Sequence, residues 1–316
     1  MKQFFSLNTL ALMVVLQVPT LAAQEPTAAG ADAEPAPASR AMVSLGLGNQ
    51  ALAQAYPDQA RWLKTEADGE VLVMFEKEQT AQPRGAVLIL ADEGQSANTR
   101  LAAALRPPFN RAGWAAMAMG LPELSLPLAQ ARRLREAGVT KAAEAPEADT
   151  AGDGGEPASD SAEASSVMID VMDDDNLDSL AVRYEAQVLA GLEAALAKLR
   201  TLGYQRMVLV AVGRAAELAT RQALAAGDGV QELVWIAPTL SADAERTLAA
   251  QLEASPVPLL ELASSRIEGD DARERAALMR RQGVTGYSQQ AVAMASRPVA
   301  HNAGQVANRI LAWLAR

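Results

Sequence analysis

Short runs of consecutive apolar residues alternate along this chain with segments in which apolar residues recur every three or four positions. The runs predict strands buried on both faces, and the spaced segments predict helices with one apolar side. The predicted strands cover 70–76, 86–91, 114–120, 206–211, 232–237, 256–262 and 286–295. The predicted helices cover 98 to 105 or beyond (closed by Gly113), 128–137, 180–202, 215–226, 242–253, 271–282 and 305–315. A short helix followed by an extended stretch covers 47–64. This alternation predicts an α/β fold with a doubly wound, mostly parallel sheet.

Helix-capping and helix-breaking residues predict the ends of several helices. Asn98 or Thr99 is the expected N-cap of the helix after strand 86–91, and Pro107 with Pro108 is expected to disturb its later turns. Gly203 is expected to stop the strongly periodic helix 180–202.

The first 23 residues have the pattern of a secretory signal peptide. Lys2 supplies the positive charge, Leu7–Val18 the apolar stretch, and Ala22 or Ala23 the small residue before cleavage. The apolar stretch is shorter than the ~20 residues that span a bilayer, so no stable membrane insertion is expected after cleavage. The chain contains no cysteine, which excludes a lipoprotein anchor, disulfides and thiol catalysis. These features predict a protein exported to the periplasm of a Gram-negative bacterium.

Two low-complexity segments flank or interrupt the predicted domain. Residues 24–45, rich in Ala and Pro, are expected to be a disordered tether, and residues 138–179 a disordered acidic insertion. The insertion would divide one domain into an N-terminal part, 46–137, and a C-terminal part, 180–316.

The net charge is concentrated in the acidic segment. Residues 141–180 contain twelve acidic residues and one basic residue, a net charge of −11. The net charge of the whole chain is −10, so the rest of the chain carries a net charge of +1. A nearly neutral body argues against nucleic acid as a partner, because nucleic-acid binding depends on Lys and Arg at phosphates. Residues Asp173–Asn176 lack the spacing of an EF-hand calcium loop, so no metal site is predicted there.

The order of elements resembles the α/β-hydrolase superfamily, over residues 46–136 and 180–316. Within it, the chain is most similar to exported α/β-hydrolase-like proteins of unknown function from Gram-negative bacteria. The segments that carry the resemblance are Gly85–Leu90 entering Asp92-Glu93-Gly94, Ala112-Gly113-Trp114 leading to Leu121-Pro122, Gly203-Tyr204, the strand that enters Gly213, and Arg309–Leu314. None of these segments is a catalytic signature.

The resemblance implies where a catalytic site would lie. The nucleophile elbow Gly-x-Ser-x-Gly would place its serine at Gly213, so the nucleophile position is degenerate. The oxyanion would be held by the amide of Arg214 and by the loop Asp92-Glu93-Gly94. We expect these five residues to line a ligand-binding crevice. The acidic pair in the loop would repel a developing oxyanion, which argues against acyl transfer.

The resemblance also suggests the acid and the base of a triad. Asp270 and Asp271 follow strand 256–262, although acids at that place are also ordinary helix N-terminal residues. Glu261, within the strand, is a weaker candidate. His301, the only histidine, precedes the terminal helix where a hydrolase carries its base. A lone histidine in a loop is more often an exposed polar residue, and a base needs a nucleophile within hydrogen-bond reach.

Other chemistry finds little support in the sequence. Alternative serines are Ser96, Ser125, Ser264, Ser265, Ser288 and Ser296, and their spacing singles out none of them. No Gly-x-Gly-x-x-Gly or Gly-Lys-Ser/Thr loop is present, so no nucleotide cofactor is expected.

Three functions follow from these observations. The first is a non-catalytic periplasmic protein that binds an unknown small molecule or protein partner. The second is an ester or amide hydrolase with an unrecognised serine and His301 as general base. The third is an interaction protein that works through the acidic segment 141–180. We rank the first ahead, because the elbow and the oxyanion loop both depart from what acyl transfer needs.

Overall fold

A computed structural model describes residues 48–66, 69–143, 174–253, 255–265 and 271–316. The predicted signal peptide 1–23 and tether 24–45 lie outside these residues, as does 144–173 of the predicted insertion. The strands are β1 Ala60–Lys64, β2 Glu70–Glu76, β3 Gly85–Leu90, β4 Trp114–Met119, β5 Met207–Val212, β6 Glu232–Ile236, β7 Leu259–Ser264 and β8 Tyr287–Val292. The helices are α1 Asn49–Ala55, α2 Arg100–Arg111, α3 Leu126–Ala143, α4 Asp174–Thr201, α5 Ala215–Ala225, α6 Ala242–Glu253, α7 Asp271–Arg281 and α8 Ala303–Leu314.

The eight strands form one sheet in the order β1-β2-β4-β3-β5-β6-β7-β8. β2 pairs antiparallel with both of its neighbours, and every other pair in the sheet is parallel. The predicted doubly wound, mostly parallel sheet is therefore confirmed.

Alternate residues of the central strands enter two different cores. Leu88 and Leu209 belong to the core formed with α4, α5 and α6, whereas Val87 and Val208 belong to the core formed with α2 and α8. β3, β4 and β5 are buried at every position, because a layer of helices covers each face of the sheet. Burial on both faces of the sheet explains the unbroken apolar runs in the sequence.

Helix α2 stays helical where two prolines were expected to disturb it, and it ends before Gly113. It continues through Pro107 and Pro108 to Arg111. Each proline removes one backbone N–H from the helix, but Leu105 and Phe109 are fully buried against the sheet, and this packing holds the last turns in place. Thr99 occupies the predicted N-cap position without a capping hydrogen bond, because its hydroxyl pairs with Ser96 Oγ at 2.8 Å.

Helices α3 and α4 extend beyond their predicted limits. α3 runs to Ala143 and α4 begins at Asp174, so both enter the ends of the range 138–179. Leu177, buried in the structure, extends the apolar face of α4 by one turn beyond the periodic pattern that begins near Leu180. Within the described part of the chain, no helix is both long and apolar enough to cross a membrane.

Candidate active site

The turn between β5 and α5 has the strand-turn-helix geometry of a nucleophile elbow. β5 ends at Val212, Gly213 adopts a left-handed φ of +58°, and α5 begins at Ala215. The Gly213 amide donates a hydrogen bond to the carbonyl of Ile236 at 3.0 Å, and its carbonyl accepts one from the Thr239 amide at 3.1 Å. Hydrogen bonds to both the amide and the carbonyl of Gly213 thus stabilise the turn.

A carboxylate of the chain itself lies at this elbow. Asp92 Oδ1 accepts a hydrogen bond from the amide of Arg214 and another from the amide of Glu93, each at 2.9 Å. The resemblance assigns the oxyanion to the amide after the elbow residue and to the loop after β3, and these two donors are of that kind. A negatively charged oxygen is favoured there, because it also lies at the N-terminus of α5.

Gly213 provides the space that the Asp92 carboxyl group occupies. A Cβ atom on Gly213 would lie 2.5 Å from Asp92 Cγ and 2.6 Å from Asp92 Oδ2. A serine at this position would therefore require the carboxyl group to move. The absence of a side chain at Gly213 and the position of the Asp92 carboxyl group therefore depend on each other.

The three residues of the loop after β3 have different environments. Asp92 faces the elbow, whereas Glu93 Oε2 forms an ion pair with Arg132 Nη1 of α3 at 2.5 Å. Gly94, with a φ of +72°, allows a close approach to Glu123, whose Cγ would lie 3.2 Å from a Cβ atom. Of the five residues expected to line a ligand-binding crevice, Asp92 alone lines the small crevice found beside the elbow, and the five-residue site stays a prediction.

Arg132 of α3 and Tyr184 of α4 lie near this loop. Besides the ion pair from Arg132, the hydroxyl of Tyr184 on α4 donates a hydrogen bond to the carbonyl of Pro122 at 3.1 Å. Burial, with a smaller contribution from the nearby Glu93 carboxylate, raises the pKa of Tyr184 above its ordinary value. Sequence reasoning missed Arg132 and Tyr184, because neither belongs to a motif.

Little room remains at the carboxyl ends of β3 and β5. The crevice there has a volume of about 40 Å³ and is lined by Asp92, Thr99, Val212, Arg297 and Pro298 among others. Pockets for drug-sized ligands measure about 300–1,000 Å³. The crevice is therefore far smaller than a typical small-molecule site.

Among the described residues, His301 and Asp271 do not line this crevice. His301 is exposed in a 3-10 turn, Ala300–Asn302, that packs on α2, whereas Arg297 and Pro298 of the preceding loop line the crevice. Asp271 is exposed in the first turn of α7. Asp270 lies outside the described residues. The structure thus brings Asp92, Gly213 and Arg214 together, and a catalytic role for His301 or Asp271 stays a prediction.

Glu261 belongs to a buried ionic cluster. Its side chain is fully buried and accepts bonds from Arg275 at 2.9 and 3.0 Å and from the Tyr287 hydroxyl at 2.6 Å. Both carboxylate oxygens are therefore engaged. Of the alternative serines, Ser96 pairs with Thr99 and Ser264 donates to the carbonyl of Met294, so each hydroxyl has a local structural partner.

The whole sequence from residue 5 to residue 316 matches one family, described as "Protein of unknown function (DUF3530)". This chain belongs to the DUF3530 family. No protein with a curated description matches it. The description of the DUF3530 family names no activity.

Solved structures of very low sequence identity share the DUF3530 chain's fold. The esterase domain of a Rhodothermus marinus protein is 12% identical, with a TM-score of 0.50 over 80% of this chain and 96% of that domain. Est1E from Butyrivibrio proteoclasticus is 8% identical, with a TM-score of 0.52 over 81% of this chain and 97% of the other. At such identities the likeness shows the fold, which is that of the α/β-hydrolases.

Proposed function

We propose that this chain is a non-catalytic α/β-hydrolase-fold protein that acts by binding another molecule without covalent chemistry. The observation that carries the proposal is the double hydrogen bond from the amides of Arg214 and Glu93 to Asp92 Oδ1. An oxyanion that formed at the elbow would need these donors, and a fixed carboxylate already holds them. Gly213 supplies no nucleophilic atom next to them.

Three further observations support the proposal. The crevice of about 40 Å³ is too small for an acyl substrate, and the Glu93–Arg132 ion pair ties α3 to the loop. His301 is exposed, and a general base needs a nucleophile within hydrogen-bond reach.

We also propose that the protein works outside the cytoplasm, as an exported protein of a Gram-negative bacterium. The support is in the sequence: the charge at Lys2, the apolar stretch Leu7–Val18 and the small residues Ala22 and Ala23. Cell fractionation with residues 1–23 present or deleted tests this part. We expect export with the segment and retention without it.

The test of the central proposal is chemical labelling. The purified chain and its His301→Ala variant are treated with a fluorophosphonate probe and with short-chain p-nitrophenyl esters, beside an active serine esterase as positive control. We expect the esterase alone to be labelled and to turn over ester. Labelling and turnover that occur in the chain and disappear in His301→Ala would instead establish a hydrolase with a displaced serine.

A further inference from the structure

The loop between β8 and α8 brings a cation to the crevice beside the elbow. The resemblance to hydrolases places a general base in this loop, yet the residue of the loop that lines the crevice is Arg297, whereas the turn that contains His301 packs on α2. Arg297 is exposed. Because an arginine side chain stays protonated at any ordinary pH, the crevice has a permanent positive charge at its mouth.

Asp92 supplies the opposite charge to the same crevice. Its Oδ1 accepts the two amide hydrogen bonds, whereas its Oδ2 accepts none from the residues that the structure describes and is not cut off from solvent. Within the described part of the chain, neither Asp92 nor Arg297 belongs to an ion pair. One crevice is therefore lined by two opposite charges that do not neutralise each other by direct contact.

The size of the crevice limits which part of a ligand can enter it. A buried water molecule needs about 10–15 Å³ of cavity volume, and the crevice measures about 40 Å³. A group of the size of water, such as an ammonium group, fits inside. The rest of the ligand has to stay at the mouth, where Arg297 is exposed. A matching ligand is therefore compact and carries its positive and negative groups close together.

We propose that the elbow crevice binds a small free amino acid as its zwitterion. The ammonium group donates to Asp92 Oδ2, and the carboxylate lies at the mouth beside the guanidinium of Arg297, whose planar donors suit a carboxylate. A plain carboxylate would meet the like charge of Asp92, and a plain amine the like charge of Arg297. This inference rests on the proposed function, because it names the class of molecule that the non-catalytic site binds.

The experiment compares glycine, methylammonium and acetate as probes, and follows the NMR signals of two backbone amides. The amides of Arg214 and Glu93 report on the site, because both donate to the Asp92 carboxylate that the ammonium group would contact. We expect glycine to shift both signals to saturation. Methylammonium and acetate should each bind about fivefold more weakly than glycine, as for loss of one partly exposed charge interaction.

Charge-removing variants separate the two halves of the site. Arg297→Gln should lower the affinity for glycine about fivefold without lowering that for methylammonium. Asp92→Asn, in a chain that still unfolds cooperatively, should lower the affinities for glycine and methylammonium but not that for acetate. The matched control is Arg309→Gln, which removes an exposed arginine of α8 outside the crevice lining and should leave all three affinities unchanged.

Three results would overturn the inference: no saturable shift with glycine, a glycine affinity no higher than that of methylammonium or acetate, or equal glycine affinity in the wild type and Arg297→Gln. None of them bears on the absence of covalent chemistry, because labelling by a fluorophosphonate tests that separately. Conversely, labelling would contradict the proposed function whatever the crevice binds.

Discussion

A Cβ atom on Gly213 would lie 2.5 Å from Cγ of Asp92, a residue that follows β3 more than a hundred positions earlier in the chain. The elbow therefore has room for a carboxyl group or for a side chain on its central residue, but not for both. Because Asp92 Oδ1 also holds two amides, the carboxyl group is the occupant that the backbone favours.

The first prediction concerns the Gly213→Ala variant. A left-handed residue with a side chain costs about 1–2 kcal/mol, and overlap with Asp92 adds about 1–3 kcal/mol of overpacking. Gly283→Ala is the matched control, because Gly283 has a φ of +72° and nothing within 4 Å of its Cβ position. Denaturant unfolding should show the larger loss of stability for Gly213→Ala.

The same experiment extends to a double-mutant cycle. In an Asp92→Ala background, Gly213→Ala should cost no more than the Gly283→Ala control, because the overlapping carboxyl group is gone. Additive effects of the two substitutions would show that Asp92 and Gly213 do not compete for one space.

A second prediction concerns the buried ion pair between β7 and α7. Arg275→Met leaves the fully buried Glu261 carboxylate with Tyr287 as its remaining hydrogen-bond donor, and an uncompensated buried charge costs about 3–5 kcal/mol. The double variant Glu261→Leu/Arg275→Met should recover most of that loss, since it buries no charge at these two positions. A loss below about 1 kcal/mol for Arg275→Met, the range of exposed pairs, would contradict this reading of the cluster.

A third prediction concerns alkaline pH. Burial, followed by the Glu261 carboxylate and the hydrogen bond to it, raises the pKa of Tyr287 above its ordinary value. The folded chain then keeps this proton at a pH where the unfolded chain, with a tyrosine pKa of about 10, loses it. Tyr287 therefore contributes stability that is complete below about pH 10 and is lost as the pH rises further.

Unfolding measured between pH 8 and pH 11 checks this dependence. Tyr287→Phe should lower stability at pH 8 by about 1.5–3 kcal/mol, the value of a hydrogen bond to a charged group, and should flatten the decline above pH 10. Burial also raises the pKa values of Tyr184 and Tyr204, so part of the decline should remain in the variant. An unchanged profile would show that Tyr287 titrates alike in both states.

Local sequence patterns predicted the scaffold of the site well. The apolar run 206–211 followed by Gly213 and a helical segment predicted the strand, the turn and the start of α5, because each depends on neighbouring residues. The limits of α2 and α4 depend on packing instead: Phe109 and Leu177 are buried by other elements, which local propensity does not record.

The position of the Asp92 carboxyl group at the elbow was not predictable from local sequence patterns. Sequence reasoning placed Asp92 and Arg214 at one site through the family resemblance and expected repulsion between the acidic pair and an oxyanion. The two residues are 122 positions apart, and the direction of the Asp92 carboxyl group depends on the fold. An aspartate directly after a buried strand, combined with a glycine at the elbow, was the available signal.

Backbone amide exchange at Arg214 and Glu93 tests the central claim most directly. Measured by NMR in the wild type and in Asp92→Ala, both amides should be protected when the carboxylate is present. Without it, they should exchange at least about tenfold faster, as expected for the loss of a hydrogen bond of roughly 1.4 kcal/mol, while amides within β5 keep their protection. Equal exchange rates at both residues in the two proteins would contradict a carboxylate-filled oxyanion position.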